Sequence, residues 1–313
     1  MDAEPLFQYM RERHSIHLRR QAGRPWPWTE DPILQQFRFC MVYRELDRTT
    51  IWLRDNVRER LRSSPDVLLA TVLFRWFNRI RTGEAIFQQT CFASKPGAHT
   101  PWELRNDCEP DHFVEILHQA ITSYCRTPTG RGYKEGPYVT GSYIIKTPDG
   151  KDKLDGVLWC VEQFMTREVL HFEGCSTQRE VAQYLLDHPG EVSLEDVWCW
   201  LKDFPYLGAF MAAQIVADIK QTDLLKDAPD WWTWASPGPG SMRGLNVVCG
   251  REPTTPWKPG EWYDRLRELQ LLLEPLVESE GMPRLCAQDV QNNCCEFSKY
   301  TRGSSRQKFR STR

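Results

Sequence analysis

The sequence predicts a mainly α-helical fold with one small β-hairpin. Apolar residues recur at helical spacing in most segments of the 313-residue chain. Residues 138–158 instead alternate apolar and polar side chains around TPDGK, in which Asp149-Gly150 is a favoured hairpin turn. A third observation is the short stretch FPYLG, residues 204–208, which interrupts two helical patterns and contains a glycine. Together these observations predict helices joined by short turns, with β-structure confined to one hairpin.

The helical elements follow from periodicity and from start signals. A Pro/Trp linker at residues 24–32 separates the first helix, which is basic, from the rest. Ser193 and Asp196 have the spacing of a capping box at a helix start. Helices are predicted, in chain order, at residues 1–24, 35–53, 64–81, 111–124, 163–172, 177–187, 193–202, 261–280 and 282–300.

The predicted helix at residues 35–53 combines an apolar face with a charged one. Its apolar residues fall at helical spacing and are expected to be buried: Phe39, Val42, Tyr43, Leu46 and Leu53. On the other face, Arg44, Asp47 and Arg48 lie within one turn. They can form ordinary ion pairs on a solvated helix. Alternatively, the arginines can form the wall of an anion-binding site.

Two turns are candidate anion sites. The turn at residues 204–208 leaves backbone N–H groups at the start of the following helix, where they could bind a DNA phosphate. The loop SPGPGS, residues 236–241, is expected to be irregular because it contains two prolines and two glycines. If Ser241 caps a following helix, the N–H groups and Arg243 can hold a phosphate-like group. The alternative is a helical hairpin followed by an ordinary loop.

Composition limits the classes of function. The formal charge of −2 provides no overall attraction to nucleic acid, so such binding would need local patches. The eleven cysteines lack a CxxC pair, which favours reduced thiols in a cytosolic or nuclear setting and no metal site. No segment has the length of a membrane span. The tail at residues 299–313 is basic and contains no acid, so it could lie along a phosphate backbone.

Three stretches resemble a known enzyme family. They are FRFCMVYRELDRTTIWL at residues 37–53, APDWWTWASPGPGSMRGLN at 228–246, and DVQNNCCEFSKYTRG at 289–303. They are similar to the α-glutamyl/putrescinyl thymine pyrophosphorylases, also called amino acid:DNA transferases, across residues 33–310. A related helical domain accompanies the 5-hydroxymethyluracil DNA kinases. The helical hairpin with an aspartate about twenty residues beyond its glycine also resembles the helix-hairpin-helix DNA glycosylases.

The resemblance implies a helix-hairpin-helix, DNA-glycosylase-like fold and a DNA substrate. An amino acid or amine would be joined to the methylene carbon of phosphorylated or pyrophosphorylated 5-hydroxymethyluracil, with loss of phosphate or pyrophosphate. The expected domains are an N-terminal helix and linker (1–32), a catalytic domain of two helical lobes (33–298) and the basic tail (299–313). The expected partners are DNA, an amino acid or polyamine and a 5-hydroxymethyluracil DNA kinase, with no membrane and no cofactor.

This chemistry assigns roles to particular residues. An aspartate could accept the proton of the amine or hold its ammonium group. Asp230 is preferred because it directly precedes the tryptophans of the second stretch, with Asp227 as the alternative and Glu296 as a further candidate. The leaving phosphate is expected to contact Arg44, Arg48, Gly238, Gly240, Ser241, Arg243 and Lys299. The flipped base is expected to stack on Trp231, Trp232 or Tyr300. The DNA backbone is expected to contact Tyr206, Gly208, Arg302 and Arg306.

Two other functions fit the same residues. In a base-excising glycosylase, the aspartate would stabilise an oxocarbenium-like sugar instead of accepting a proton from an amine. A non-catalytic module would bind DNA and serve as a partner to a kinase. The sequence does not identify the amine donor or the source, so a bacteriophage protein acting in the host cytoplasm and a nuclear protein are both compatible with it.

Overall fold

The computed structural model is mainly α-helical, as predicted. It describes residues 1–89, 98–129, 132–134, 136–170 and 172–303. Within these ranges, none of the helices combines the length and apolar character that crossing a membrane requires. The α-helices of the described residues are α1 (Glu4–Gln21), α2 (Pro32–Gln36), α3 (Arg48–Leu53), α4 (Asp66–Phe77), α5 (Ile80–Phe87), α6 (Pro110–Cys125), α7 (Lys153–Thr166), α8 (Gln178–Asp187), α9 (Leu194–Lys202), α10 (Gly208–Ile219), α11 (Pro239–Val248), α12 (Glu261–Ser279) and α13 (Ala287–Tyr300).

The chain divides into two units, and one of them is discontinuous in sequence. Unit 1 is formed by Met1–Asp47 and Trp232–Arg313, and unit 2 by Arg48–Trp231. The predicted N-terminal segment, residues 1–32, belongs to unit 1. The predicted catalytic segment, residues 33–298, is shared between the two units.

Unit 1 is built around the packing of α13 against α11, α12 and α1. Gly244 of α11 permits the closest approach, because a Cβ at this position would lie 2.5 Å from the carbonyl carbon of Cys294 on α13. Helix α1 begins with Glu4 and Pro5 and ends with Arg19 and Arg20, which is the charge order that a helix dipole favours. The core of unit 1 includes the fully buried residues Leu6, Met10, Leu245, Leu269, Leu273, Val290 and Cys294.

Residues 37–43 are extended, so the helix predicted at residues 35–53 is wrong over this stretch. Helix α2 ends at Gln36, the next helical turn is a 3-10 turn at Arg44–Leu46, and α3 begins at Arg48. Phe39, Val42 and Tyr43 are nevertheless buried, as predicted. Side-chain amides from α13 hold the extended backbone. Asn292 Nδ2 donates to the Met41 carbonyl at 3.2 Å, and Asn293 Nδ2 donates to the Val42 carbonyl at 2.8 Å.

The hairpin predicted at residues 138–158 is also wrong. Gly150 does lie in a turn, at φ +79°, but the chain then enters α7 instead of a second strand. The Asp152 carboxylate starts this helix by accepting from the N–H groups of Leu154 and Asp155 at 2.8 and 2.9 Å. Of the helix predicted at residues 163–172, residues 163–166 form the end of α7, and the prediction is wrong for residues 167–170, which are not helical. Within the described residues, the two strands are β1 (Thr127–Thr129) and β2 (Gly132–Lys134), paired antiparallel.

Unit 2 contains α3 to α10. Helices α9 and α10 pack on each other and are joined by residues 203–207, as predicted for this part of the chain. The predicted capping box is confirmed, because Ser193 Oγ accepts from the Asp196 N–H at 3.0 Å and Asp196 in turn accepts from the Ser193 N–H. A buried ion pair ties α10 to α4: the Asp218 carboxylate accepts from Arg75 Nε at 2.5 Å and from its Nη2 at 2.9 Å.

Candidate functional site

The loop of prolines and glycines leads into α11 in unit 1. Gly238 is the N-cap and the helix begins at Pro239, so the expectation that Ser241 caps it is wrong. Ser241 is the third helical residue; its hydroxyl accepts from the Gly238 N–H at 3.2 Å and donates to the Gly238 carbonyl at 3.0 Å. The N–H groups of Gly240 and Ser241 lie in the first turn, where the helix itself offers no acceptors. This is the end of a helix that favours negative charge.

The start of α11 lies directly against α13. A Cβ on Gly240 would overlap the sulfur of Cys295 and lie 3.4 Å from the Cys295 Cβ. Glycine at position 240 therefore permits a close approach to Cys295. The charges of Lys299, Arg243 and Arg302 act to lower the pKa of the Cys295 thiol, although burial raises it overall. Cys295 therefore feels the charges of all three of these predicted cations.

A carboxylate–ammonium pair directly follows Cys295 on α13. Glu296 is 3% exposed and pairs with Lys299, whose side chain is 35% exposed. The other oxygen of Glu296 accepts from the Cys40 N–H at 3.1 Å, so Glu296 also anchors the extended segment. Burial acts to lower the pKa of Lys299, but the charge and hydrogen bond of Glu296, together with Cys295 and Cys40, outweigh this effect and raise it. Lys299 is therefore a stable cation with a partly exposed side chain.

Asp47 is a carboxylate in the same neighbourhood that the sequence analysis treated only as an ion-pair partner. Its Oδ1 accepts from the Met41 N–H at 3.0 Å. Burial raises the pKa of Asp47 to about 6, with an opposing effect from that hydrogen bond and from the charges of Arg44 and Arg13, and a further raising effect from Glu296. A carboxylate with this pKa is ionised near neutral pH and is a stronger base than an ordinary aspartate.

Arg13 and Arg44 hold the segment that carries Asp47. The Arg13 guanidinium donates to the carbonyl oxygens of Phe39 and Cys40 at 3.0 and 3.1 Å. The backbone N–H of Arg44 donates to Asp289 on α13 at 3.2 Å. Arg44 itself is half-buried. Arg13 was not predicted as a site residue, and its only sequence signal was its place in a basic helix.

The two predicted stacking residues of unit 1 have different surroundings. The Tyr300 hydroxyl donates to Asp31 at 2.6 Å and its ring packs on Tyr9 at 4.9 Å, while burial and Asp31 raise its pKa to about 12. Tyr300 is therefore held in the wall of the unit. Trp232 is 40% exposed, with the Arg284 guanidinium 4.5 Å from its ring centroid. Arg302 is exposed and its Nε donates to the Ser298 carbonyl at 2.9 Å. Arg306 lies outside the described residues.

Asp230, in unit 2, contacts the start of α9. Its two carboxylate oxygens accept from the N–H groups of Leu194 at 2.7 Å and Glu195 at 3.2 Å. This geometry supports a role in holding the helix start. Its catalytic role stays a prediction.

The other predicted residues of unit 2 lie on separate features. Asp227 and Arg48 are exposed. Trp231 donates through Nε1 to the Lys220 carbonyl at 2.8 Å, and the Lys220 ammonium lies 4.0 Å from its ring centroid. Tyr206 lies in the α9–α10 turn and Gly208 is the first residue of α10, and both have a positive φ, 61° and 60°.

Comparison with known proteins gives a family match along nearly the whole chain. The family described as "5-hmdU DNA kinase, helical domain" matches residues 3–309. A curated relative, a "5-hmdU DNA kinase" of Bacillus phage SP10, is 24% identical over 321 aligned residues, which cover 92% of this chain and 43% of the relative. The chain thus spans less than half of that relative's length. No solved structure matches. We conclude that the chain belongs to the 5-hmdU DNA kinase helical-domain family.

Proposed function

We propose that this chain modifies 5-hydroxymethyluracil in DNA by transferring an amino acid or amine onto the methylene carbon of its phosphorylated or pyrophosphorylated form. Membership of a family named for kinases of 5-hmdU DNA supports the DNA substrate and the base. Such a kinase would supply the phosphorylated base. On phage DNA the reaction would take place in the host cytoplasm.

One observation carries the proposal: the start of α11 packs against α13 at Cys295, which feels the charges of Lys299, Arg243 and Arg302. Glu296 connects Lys299 to the extended segment that leads to Asp47. Ser241 is fully buried, so it supports the helix start without reaching the phosphate. The N–H group of Gly240 and the side chains of Arg243 and Lys299 would hold the leaving phosphate. Each of these donors is suited to negative charge that grows as the carbon–oxygen bond breaks. The arrangement resembles neither a metal site nor a serine or cysteine triad in its chemistry.

The reaction balances without a redox partner. The lone pair of a neutral amine forms the new carbon–nitrogen bond at the methylene carbon. The carbon–oxygen bond breaks, and its electron pair leaves with the phosphate or pyrophosphate. The amine then loses one proton. Asp47 is the acceptor that we assign, because burial raises its pKa to about 6 and so makes it a stronger base than an ordinary aspartate.

Glu296 has a supporting role in this proposal. It is buried, paired with Lys299 and hydrogen-bonded to the Cys40 N–H, so it fixes both the cation and the segment leading to Asp47. The roles predicted for Asp227, Asp230, Arg48 and Trp231 in unit 2 are not needed for this step. Variants at those positions test them separately.

The test is a mass analysis of nucleosides. Duplex DNA containing 5-hydroxymethyluracil is phosphorylated by a 5-hmdU DNA kinase and then incubated with this chain and a pool of amino acids and polyamines. The proposal expects a thymidine-derived nucleoside that carries one amine. Asp47→Asn and Arg243→Ala are expected to reduce its yield by at least about tenfold. Arg265→Ala, which removes an exposed cation paired with Glu268 on α12, is the matched control and is expected to leave the yield unchanged.

Two other outcomes identify the alternatives. Release of free modified base and formation of abasic sites would replace the proposal with a glycosylase. DNA that is bound but unchanged, after phosphorylation of the base has been verified, would replace it with a non-catalytic DNA-binding module.

A further inference from the structure

An exposed group of aromatic side chains surrounds the α9–α10 turn in unit 2. Tyr206 is 42% exposed and Phe210 is 54% exposed, although both are large rings that proteins usually cover. Three half-buried rings adjoin them, contributed by the segment before α7, by α7 and by α9. We call the set the aromatic surface; its members are Tyr143, Trp159, Trp198, Tyr206 and Phe210.

The rings are held around the turn by specific contacts. Tyr206 packs edge to face with Trp159 at 5.9 Å, and Phe210 packs in the same way with Tyr143 at 5.0 Å. Trp198 donates through Nε1 to the Ala209 carbonyl at 2.9 Å. In an edge-to-face pair, the ring that contributes its edge does not have either of its faces covered by the other ring. The aromatic surface therefore presents ring faces in fixed positions.

The backbone at Tyr206 is in an unfavourable conformation. Its φ of +61° lies in the left-handed region, which a residue with a bulky side chain rarely adopts. Glycine would adopt it without strain. The ring that results from this conformation is exposed instead of buried, so packing of the core does not explain why tyrosine stands there. Strained residues of this kind occur at ligand-binding sites more often than elsewhere.

A cation lies at one side of the aromatic surface. The Lys202 ammonium is 4.4 Å from the ring centroid of Trp198. Rigid aromatic rings beside a cation are the combination by which proteins bind unpaired nucleotides, because bases stack on the rings and the cation contacts the phosphate. A surface that binds another protein would be expected to expose large aliphatic side chains as well. Here the large side chains exposed on the turn and at the start of α10, Tyr206 and Phe210, are both aromatic.

We propose that the aromatic surface binds unpaired nucleobases of DNA by stacking, with Tyr206 and Phe210 as the principal contacts. This inference rests on the proposed function in taking DNA as the partner. It assigns to the turn a contact with bases, beyond the contact with the phosphate backbone that its sequence predicts. A chain that acts on a base removed from the helix also needs to hold the strand that this opening exposes.

The experiment measures the binding of the whole chain to a short fluorescent oligothymidylate. Tyr206→Gly removes the ring and suits the positive φ, so it tests the ring without disturbing the turn. Tyr206→Gly and Phe210→Ala are each expected to weaken binding by about 5- to 100-fold, which is the range for loss of one stacked base. Tyr206→Phe is expected to retain binding. Leu271→Ala removes a side chain that is 51% exposed on α12 in unit 1, and it is the matched control.

A second oligonucleotide of the same length, with abasic sites in place of bases, separates stacking from phosphate contact. The proposal expects its binding to be equally weak for the wild type, Tyr206→Gly and Phe210→Ala. Equal losses on both oligonucleotides, or no loss on either, would overturn it. Light scattering that shows a dimer of the wild type and a monomer of Tyr206→Gly, with unchanged binding of oligothymidylate, would also overturn the proposal. The probe contains only unmodified thymine, so this binding assay does not depend on amine transfer. Failure of this proposal can therefore be distinguished from failure of the proposed function.

Discussion

Gly240→Ala tests the close packing of α11 on α13 that carries the proposed function. An added Cβ would overlap the Cys295 sulfur. Overpacking of this kind costs about 1–3 kcal/mol, and alanine recovers up to about 1 kcal/mol through its higher helix propensity. The net expectation is a loss of about 0–2 kcal/mol in the free energy of unfolding. Amine transfer is expected to fall as well, because the first turn of α11 must move away from its place against Cys295 on α13.

Cys295→Ala provides the rescue. It removes the sulfur and leaves the Cys295 Cβ at 3.4 Å from the new methyl group, which is an ordinary contact distance. The double variant is therefore expected to recover about 1–2 kcal/mol relative to the sum of the single variants. Urea unfolding of the four proteins in the cycle measures this coupling. Additive effects of the two substitutions would refute the packing argument.

Gly244→Ala is the matched comparison on the same helix. The atoms that its Cβ would meet belong to the backbone of Cys294, with the carbonyl carbon at 2.5 Å. No side-chain substitution removes that clash. We expect a loss of about 3 kcal/mol or more, and no rescue by Cys295→Ala.

Three further predictions concern charged groups. Asp47→Asn is expected to stabilise the protein by about 1–3 kcal/mol at about pH 8. The folded-state pKa of Asp47 is about 6, above the ordinary 3.8, so ionising Asp47 costs stability as the pH rises between these values. An equal gain in urea titrations at about pH 3 would contradict this. Asp230→Ala is expected to cost about 1–2 kcal/mol and to speed amide exchange at Leu194, whose N–H it accepts; unchanged exchange would count against the capping role. Asp218→Asn is expected to cost about 3–5 kcal/mol in thermal or urea unfolding, because it leaves the buried Arg75 without its counter-charge; a loss below about 1 kcal/mol would contradict the importance of the pair.

The sequence predicted those elements whose signals are local. The helices α9 and α10, the capping box at Ser193 and the turn between these helices follow from residues within a few positions of one another. The failed hairpin shows the limit of the alternation signal. The end of this segment also has apolar residues at helical spacing, which are buried in α7: Leu154, Val157, Leu158 and Val161. The TPDGK turn signal favoured the hairpin interpretation over this helical pattern.

Distant partners decide the features that the sequence did not predict. The apolar side chains in the segment 37–43 are buried as expected. The backbone of this segment is held extended by Asn292 and Asn293, which lie about 250 positions away in the sequence. The raised pKa of Asp47 likewise depends on burial within the folded unit. Arg243 and Lys299 could be nominated from motifs, whereas their shared neighbourhood around Cys295 requires α11 and α13 to pack together.

The central claim is that this chain forms a carbon–nitrogen bond on a base in DNA. The most direct measurement supplies the amine pool in two forms, one natural and one labelled with the heavy isotope of nitrogen, and compares the masses of the nucleosides released from kinase-treated DNA. The account predicts an amine-bearing nucleoside whose mass increases with the label, in a yield that falls with Arg243→Ala and persists with Arg265→Ala. A product mass that ignores the label, or free base with abasic DNA, would contradict it.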